Sequence, residues 1–142
     1  ISSRGIIMRK HRLSFADINI VSDCIAEVII DEGVNVSIEM VEEYDNYLAC
    51  IFKNHYAILV NKINNYSYSP EAQFVLGSTE NIIAIAAVNY NEQGRKSSKD
   101  IAIKRSIDQL NFRTFAGLEL GWQQAKSWLL AEINEHSSKI IT

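Results

Sequence analysis

The stretch Ile82 to Val88 is the most apolar run in the chain, and small alanines are interleaved through it. A strand with one solvated face alternates apolar and polar residues. A run without that alternation must be covered on both faces, as inside a parallel sheet. Strands of that kind are joined by crossover helices, so the segments on either side are expected to be helical.

The flanking sequence fits that demand. Leu13, Phe15, Ile18 and Ile20 predict a strand over Leu13 to Val21, interrupted near Ala16-Asp17, and the β-branched stretch Cys24 to Ile30 predicts its antiparallel partner across a Ser22-Asp23 turn. Ser37 is placed to cap a helix, with Glu39 at the positive end of its dipole. Ile38, Val41, Tyr44, Leu48 and Phe52 make its inner stripe, and Glu42, Glu43, Asp45 and Asn46 its outer face.

Tyr56 to Val60 reads as a buried strand and Asn61 to Ser69 as a loop. Ser69-Pro70-Glu71 starts a short helix that ends near Gly77-Ser78. Beyond the apolar run, Asn89 to Arg95 reads as a loop and Ser97 to Leu110 as a helix with Ile103, Ile107 and Leu110 turned inward. Phe112 to Phe115 is a strand and Leu118 to Ile133 a last helix, buried through Leu118, Trp122, Ala125, Leu129 and Ile133. The expected order is β-β-α-β-α-β-α-β-α, a mixed sheet opened by a hairpin and packed by about four helices.

At 142 residues, 47% of them apolar, the chain suits a single domain. A net charge of −3 gives no global field for nucleic acid or an anionic membrane. The basic run Arg9-Lys10-His11-Arg12 reads as a solvated strand start. Nothing approaches the roughly 18 apolar residues of a membrane span, and no signal peptide is visible, so the expectation is a cytoplasmic protein. Cys24 and Cys50 read as small buried hydrophobes, with a single disulfide between them left open. Residues 1–7 read as a remnant or as upstream sequence, with Met8 a candidate start.

His11, His55 and His136 show no helical spacing to a second metal-ligating side chain, so no metal site is expected. There is no G-x-S-x-G elbow, no recognisable Cys/His pair and no phosphate-cradling glycine loop; Gly121 reads as a close-packing position. Neither catalytic residues nor a cofactor are expected. Lys96, Lys99, Lys104 and Arg105 read as a solvated basic face.

Sites in such sheets lie where strands end and helices begin, which points to Asn61 to Glu71 and to Asn89 to Ser98. The first carries the candidate partner or ligand residues Asn61, Asn64, Asn65, Tyr66, Ser67, Tyr68 and Ser69. A helix start there can receive an anion or favour a phosphoserine at Ser69. Equally, Ser69 can serve only as a cap while Tyr66 and Tyr68 pack over the sheet edge.

Val28-Ile29-Ile30-Asp31-Glu32-Gly33 before a capped helix resembles the opening of small STAS-like bacterial proteins, the SpoIIAA-like relatives of anti-sigma-factor antagonists. Ala57 to Ser67 looks like their N-R-I-N-S-Y-S stretch. Phe112-Arg113-Thr114-Phe115 and Ala125-Lys126-Ser127-Trp128-Leu129 are similar to their last strand and helix. The resemblance covers roughly Leu13 to Glu132. It implies a STAS-like mixed sheet and a non-catalytic regulatory or protein-interaction module with an unknown protein partner. Related folds also bind lipids, so a carrier or sensor for a small apolar or anionic ligand is the alternative. The Asp-Ser-x-Gly phosphorylation motif of the antagonists is missing: Ser67 and Ser69 have neither the Asp before nor the Gly after. Tyr47, Phe74 and Trp128 exceed the needs of a core and suggest a homodimer patch.

Overall fold

The computed structural model describes residues 9–141; the reading of residues 1–7 and of Met8 lies outside them. In chain order the elements are β1 (Arg9–Arg12), β2 (Ala16–Ser22), β3 (Ile25–Ile30), β4 (Asn35–Val36), α1 (Ile38–Ile51), β5 (Tyr56–Lys62) and β6 (Ser67–Tyr68). They continue with α2 (Pro70–Val75), β7 (Ile82–Asn89), α3 (Glu92–Lys104), β8 (Phe112–Ala116), a 3-10 turn (Gly117–Glu119) and α4 (Gly121–Ile141). Six strands form one sheet in the order β1-β2-β3-β5-β7-β8, and β4 and β6 form a separate two-stranded ladder.

The α/β class and the mixed sheet are as the apolar run demands. β1, β2 and β3 are antiparallel neighbours, whereas β3, β5, β7 and β8 are parallel. From β3 to β8 the order advances in one direction. Right-handed crossovers then place α1, α2 and α3 on one face, and Val41, Leu48, Ala72 and Ile101 accordingly join the core on that side with Ile58, Val60 and Ile85. The opposite face is covered by α4, through Trp122, Ala125 and Leu129 against Ala57, Leu59, Ala86 and Val88. Both faces of β5 and β7 are thus buried.

The ends of the helices are where the caps put them. Ser37 and Ser69 accept the backbone N–H groups of Met40 and Ala72 at 3.2 and 3.1 Å. Gly121 is a close-packing position: a Cβ there would lie 2.1 Å from the carbonyl oxygen of Ala116.

Several expectations need correction. The basic run is solvated and extended as expected, but it forms a strand of its own, β1, at the sheet edge, and the predicted strand start at Leu13 lies in the turn before β2. Asn61 and Lys62 extend β5, and Ser67-Tyr68 form β6 against β4, so the 61–69 segment is not one loop. The α3 helix starts at Glu92, capped by Asn91, within the stretch read as loop. It buries Ser98, Ile101 and Arg105, spaced three and four apart, whereas Ile103 and Ile107 are exposed. Ile103 lies about 200° around the helix from Ile101, and the helix ends before Ile107. Leu118 is 81% exposed because the chain makes a 3-10 turn before α4 begins. Cys50 is exposed rather than buried, and both cysteines are free thiols.

Candidate functional site

Three parts of the chain meet at the C-terminal ends of the parallel strands: the last residues of β5, the 63–69 segment and the first turns of α3. Side chains alternate along β5. Tyr56, Ile58, Val60 and Lys62 turn toward the helices α1 to α3, while Ala57, Leu59 and Asn61 turn toward α4. Lys62 therefore extends an apolar row and its side chain is buried, 3% exposed.

The Lys62 ammonium lies 5.0 Å from the ring centroid of Tyr66 and 5.4 Å from that of Tyr68, and donates to Ser97 Oγ at 3.4 Å. Among the described residues no carboxylate forms an ion pair with it. Burial pushes its pKa down to about 8, which still leaves it mostly charged at neutral pH. Ring faces and one hydroxyl offset part of the desolvation cost of that charge. The Tyr66 and Tyr68 rings meet edge to face and their hydroxyls are 3.3 Å apart. Burial raises both phenols, that of Tyr68 to about 12.

The same three contact residues, Tyr66, Tyr68 and Ser97, line a recess of about 220 Å³ that opens to solvent. Ser67, Gln73, Gln93, Lys96 and Asp100 complete the wall. Asn89 accepts from the buried Ser98 hydroxyl at 2.9 Å, tying α3 to the end of β7.

The 63–69 segment is pinned along its length. Asn65 accepts from the Gly33 N–H at 2.7 Å, where Gly33 holds a φ of +79° that suits glycine. The Asn65 N–H donates to the Glu32 carboxylate at 3.1 Å, and Asn91 Nδ2 donates to Asn65 Oδ1 at 3.2 Å. Asn64 Nδ2 donates to the Ile30 carbonyl at 3.0 Å, and the Ser67 hydroxyl to Asn35 Oδ1 at 3.0 Å.

Of the predicted residues, Tyr66, Ser67 and Tyr68 come together at the recess. Asn64 and Asn65 hold the rim, Ser69 caps α2, and Asn61 is separated from them. Asn61 lies on the α4 side of the sheet, where its Nδ2 donates to Glu27 at 2.9 Å and its Oδ1 is buried without a hydrogen-bond partner among the described residues. Glu27, 3% exposed, also accepts from Asn19 Nδ2 at 2.9 Å and from the Trp122 indole N–H at 2.7 Å. Lys62, Lys96 and Ser97 fall inside the two stretches the sequence points to but were not singled out as site residues. The period of two that runs through Tyr56, Ile58 and Val60 signals Lys62, had the strand been carried two residues further.

The basic surface expected on α3 divides. Lys96 joins the recess and Lys99 is exposed. Arg105 is buried and donates to the carbonyls of Gln73 and Leu76, to Ser78 Oγ and to Asp108. Among the described residues no group of three or more His, Cys, Asp or Glu side chains is placed to hold a metal ion, and no helix is long and apolar enough to cross a membrane. The chain matches no protein-family model, no curated protein and no solved structure.

Proposed function

We propose that this chain is a non-catalytic, STAS-like regulatory module that engages a protein partner through the rim formed by residues 63–69 and 91–97. The observation that carries this reading is the pinned rim. Its backbone is fixed by Asn64, Asn65, Ser67 and Asn91, yet Ile63, Asn65, Ser67 and Gln93 expose their side chains to solvent. Ile63 is 58% exposed. A surface ordered before contact loses little conformational entropy on binding, which favours specific association. The element order and the quoted segments support the STAS-like part of the reading.

The buried tyrosines are poor test positions, because their truncation would disturb the core. Ile63→Glu changes only the exposed rim and touches neither the recess wall nor the pinning hydrogen bonds. A partner captured from the native host and then purified should bind the parent chain and lose at least tenfold in affinity for this variant, with unchanged circular dichroism. Equal affinity for the two proteins sinks this reading. The alternative, a lipid or small-molecule carrier, calls for a sizeable closed pocket beneath this segment. The recess found there is open, and its 220 Å³ falls below the roughly 300–1,000 Å³ of drug-sized sites.

A further inference from the structure

The six-stranded sheet ends on two unlike edges. β1 carries Arg9, Lys10, His11 and Arg12, all exposed, and charged side chains along an edge discourage the addition of a further strand. β8, at the other end, holds one charged residue, Arg113. Its guanidinium lies 5.1 and 6.0 Å from the rings of Phe115 and Trp128, on the α4 face. Among the described residues no strand pairs with the outer side of β8.

The register fixes which backbone groups that side offers. Ile85 stands opposite Phe112, and its N–H donates to the Asn111 carbonyl at 2.9 Å. In a parallel ladder a residue bonds the two that flank its opposite number, so Arg113 and Phe115 are the β8 residues that bond β7. The N–H and C=O groups of Phe112 and Thr114 therefore point away from it. An open groove flanks this edge on each face. One of about 500 Å³ runs beside Thr114 and Leu118 toward α3, and one of about 620 Å³ beside Arg113, Leu120 and Trp128 toward α4. Leu118 and Leu120 are 81% and 72% exposed.

We propose that β8 is a homodimer interface, where two copies of the chain pair β8 against β8, antiparallel, about a two-fold axis at Thr114. Outward-facing residues must oppose outward-facing ones, and centring on Thr114 satisfies this. Thr114 then faces its counterpart, Phe112 faces Ala116 of the other copy, and Arg113 faces Phe115 of the other copy. No like charges stand directly opposite, and each guanidinium gains a second aromatic neighbour. Pairing β1 of one copy with β8 of another would instead set a row of basic side chains beside Arg113. The symmetric contact closes on itself, so it yields a dimer and not a filament. The inference does not depend on the rim reading, since β7 separates β8 from β5, the strand that leads into the 63–69 segment.

Sedimentation velocity on the full chain over a concentration series should show a monomer–dimer equilibrium. Thr114→Pro removes an outward N–H and no bond to β7, a change that an edge strand tolerates. It should weaken dimerisation by roughly tenfold or more. Cross-linking reads the register in a Cys50→Ser background, which lacks the exposed native thiol. Thr114→Cys should form an intersubunit disulfide on mild oxidation, because directly opposed residues of this kind lie about 5.5 Å apart at Cα. Ala116→Cys should not, since the two copies of that position stand about 13 Å apart along the strands. If Thr114→Pro does not fold, the cross-linking pattern decides by itself. A chain that stays monomeric at every concentration overturns the proposal and leaves the edge to a strand of another protein. So does an undiminished dimer in folded Thr114→Pro, or cross-linking as ready at position 116 as at 114. Ile63→Glu should dimerise as the parent does; loss of the dimer in that variant would put the contact at the rim and overturn the β8 pairing.

Discussion

Asp45 lies on α1 beside the buried Leu48, and one of its carboxylate oxygens is buried without a hydrogen-bond partner among the described residues. Position 45 is about 60° around the helix from Leu48, at the margin of the apolar stripe rather than opposite it. That is why the sequence spacing groups it with the exposed Glu42 and Glu43 while the fold half-buries it. Burial pushes its pKa up to about 6, opposed by a hydrogen bond with Thr79 and assisted by the charge of Glu42. The carboxyl is thus harder to ionise in the folded chain than in the unfolded one. Its favourable contribution is complete below the ordinary carboxylate range, near pH 4, and is lost as pH rises through about 6. Asp45→Asn removes that loss. The variant should be more stable than the parent at pH 7.5 by on the order of 1–2 kcal/mol, allowing for partial solvent screening. Urea unfolding at pH 7.5, 6 and 4 checks this, and the gap should close toward pH 4.

Among the elements, the starts of α1 and α2 were legible because a cap is a local event, whereas the Asn91 cap of α3 lay in a stretch read as loop. Ser37 and Ser69 act on N–H groups three residues ahead, and Pro70 stands where a helix does not need its N–H. The inner parallel strand was equally plain, since coverage of both faces forbids alternation. What the sequence concealed are contacts between distant segments. Arg105 looked like one cation among four on a solvated face. Its partners at Gln73, Leu76 and Ser78 lie 27 to 32 residues earlier, in a helix end whose carbonyls need donors. The same holds at the recess, where Lys62 and Ser97 are 35 residues apart. Periodicity sorts residues by face but does not say which carbonyls a side chain will reach. Because a guanidinium serves several acceptors at once, lysine is a poor substitute at position 105. Arg105→Lys should cost about 1–3 kcal/mol and Arg105→Ala more, both seen in thermal unfolding. Hydrogen exchange should rise first in residues 72–78, the end of α2 and the turn that follows it. Uniform protection loss would mean that Arg105 does not join α2 to α3.

For the molecule as a whole, one sheet divides two cores, and the stability of each face depends on the other through β5 and β7. Glu27 is the polar knot on the α4 side: Asn19 from β2, Asn61 from β5 and Trp122 from α4 all donate to its carboxylate. Replacing the acceptor by an apolar side chain strands three buried donors, each a desolvation cost without a partner. Glu27→Leu is therefore expected to destabilise the fold by about 3 kcal/mol or more. Both tryptophans of the chain, Trp122 and Trp128, sit on α4, so indole fluorescence reports that face alone. Tyr44, Tyr47, Tyr56, Tyr66 and Tyr68 belong to the other core and Tyr90 packs on the α4 face, so in a Tyr90→Phe background tyrosine signals in near-ultraviolet circular dichroism report the α1 to α3 face. With the central strands shared, the two signals should follow a single transition in the parent and should move together in Glu27→Leu. A variant in which tryptophan fluorescence changes at lower urea than the tyrosine signal would show that α4 leaves the sheet as a separate unit. In that case the Glu27 knot would be a local clasp, and the two faces would fold as independent layers on a common sheet.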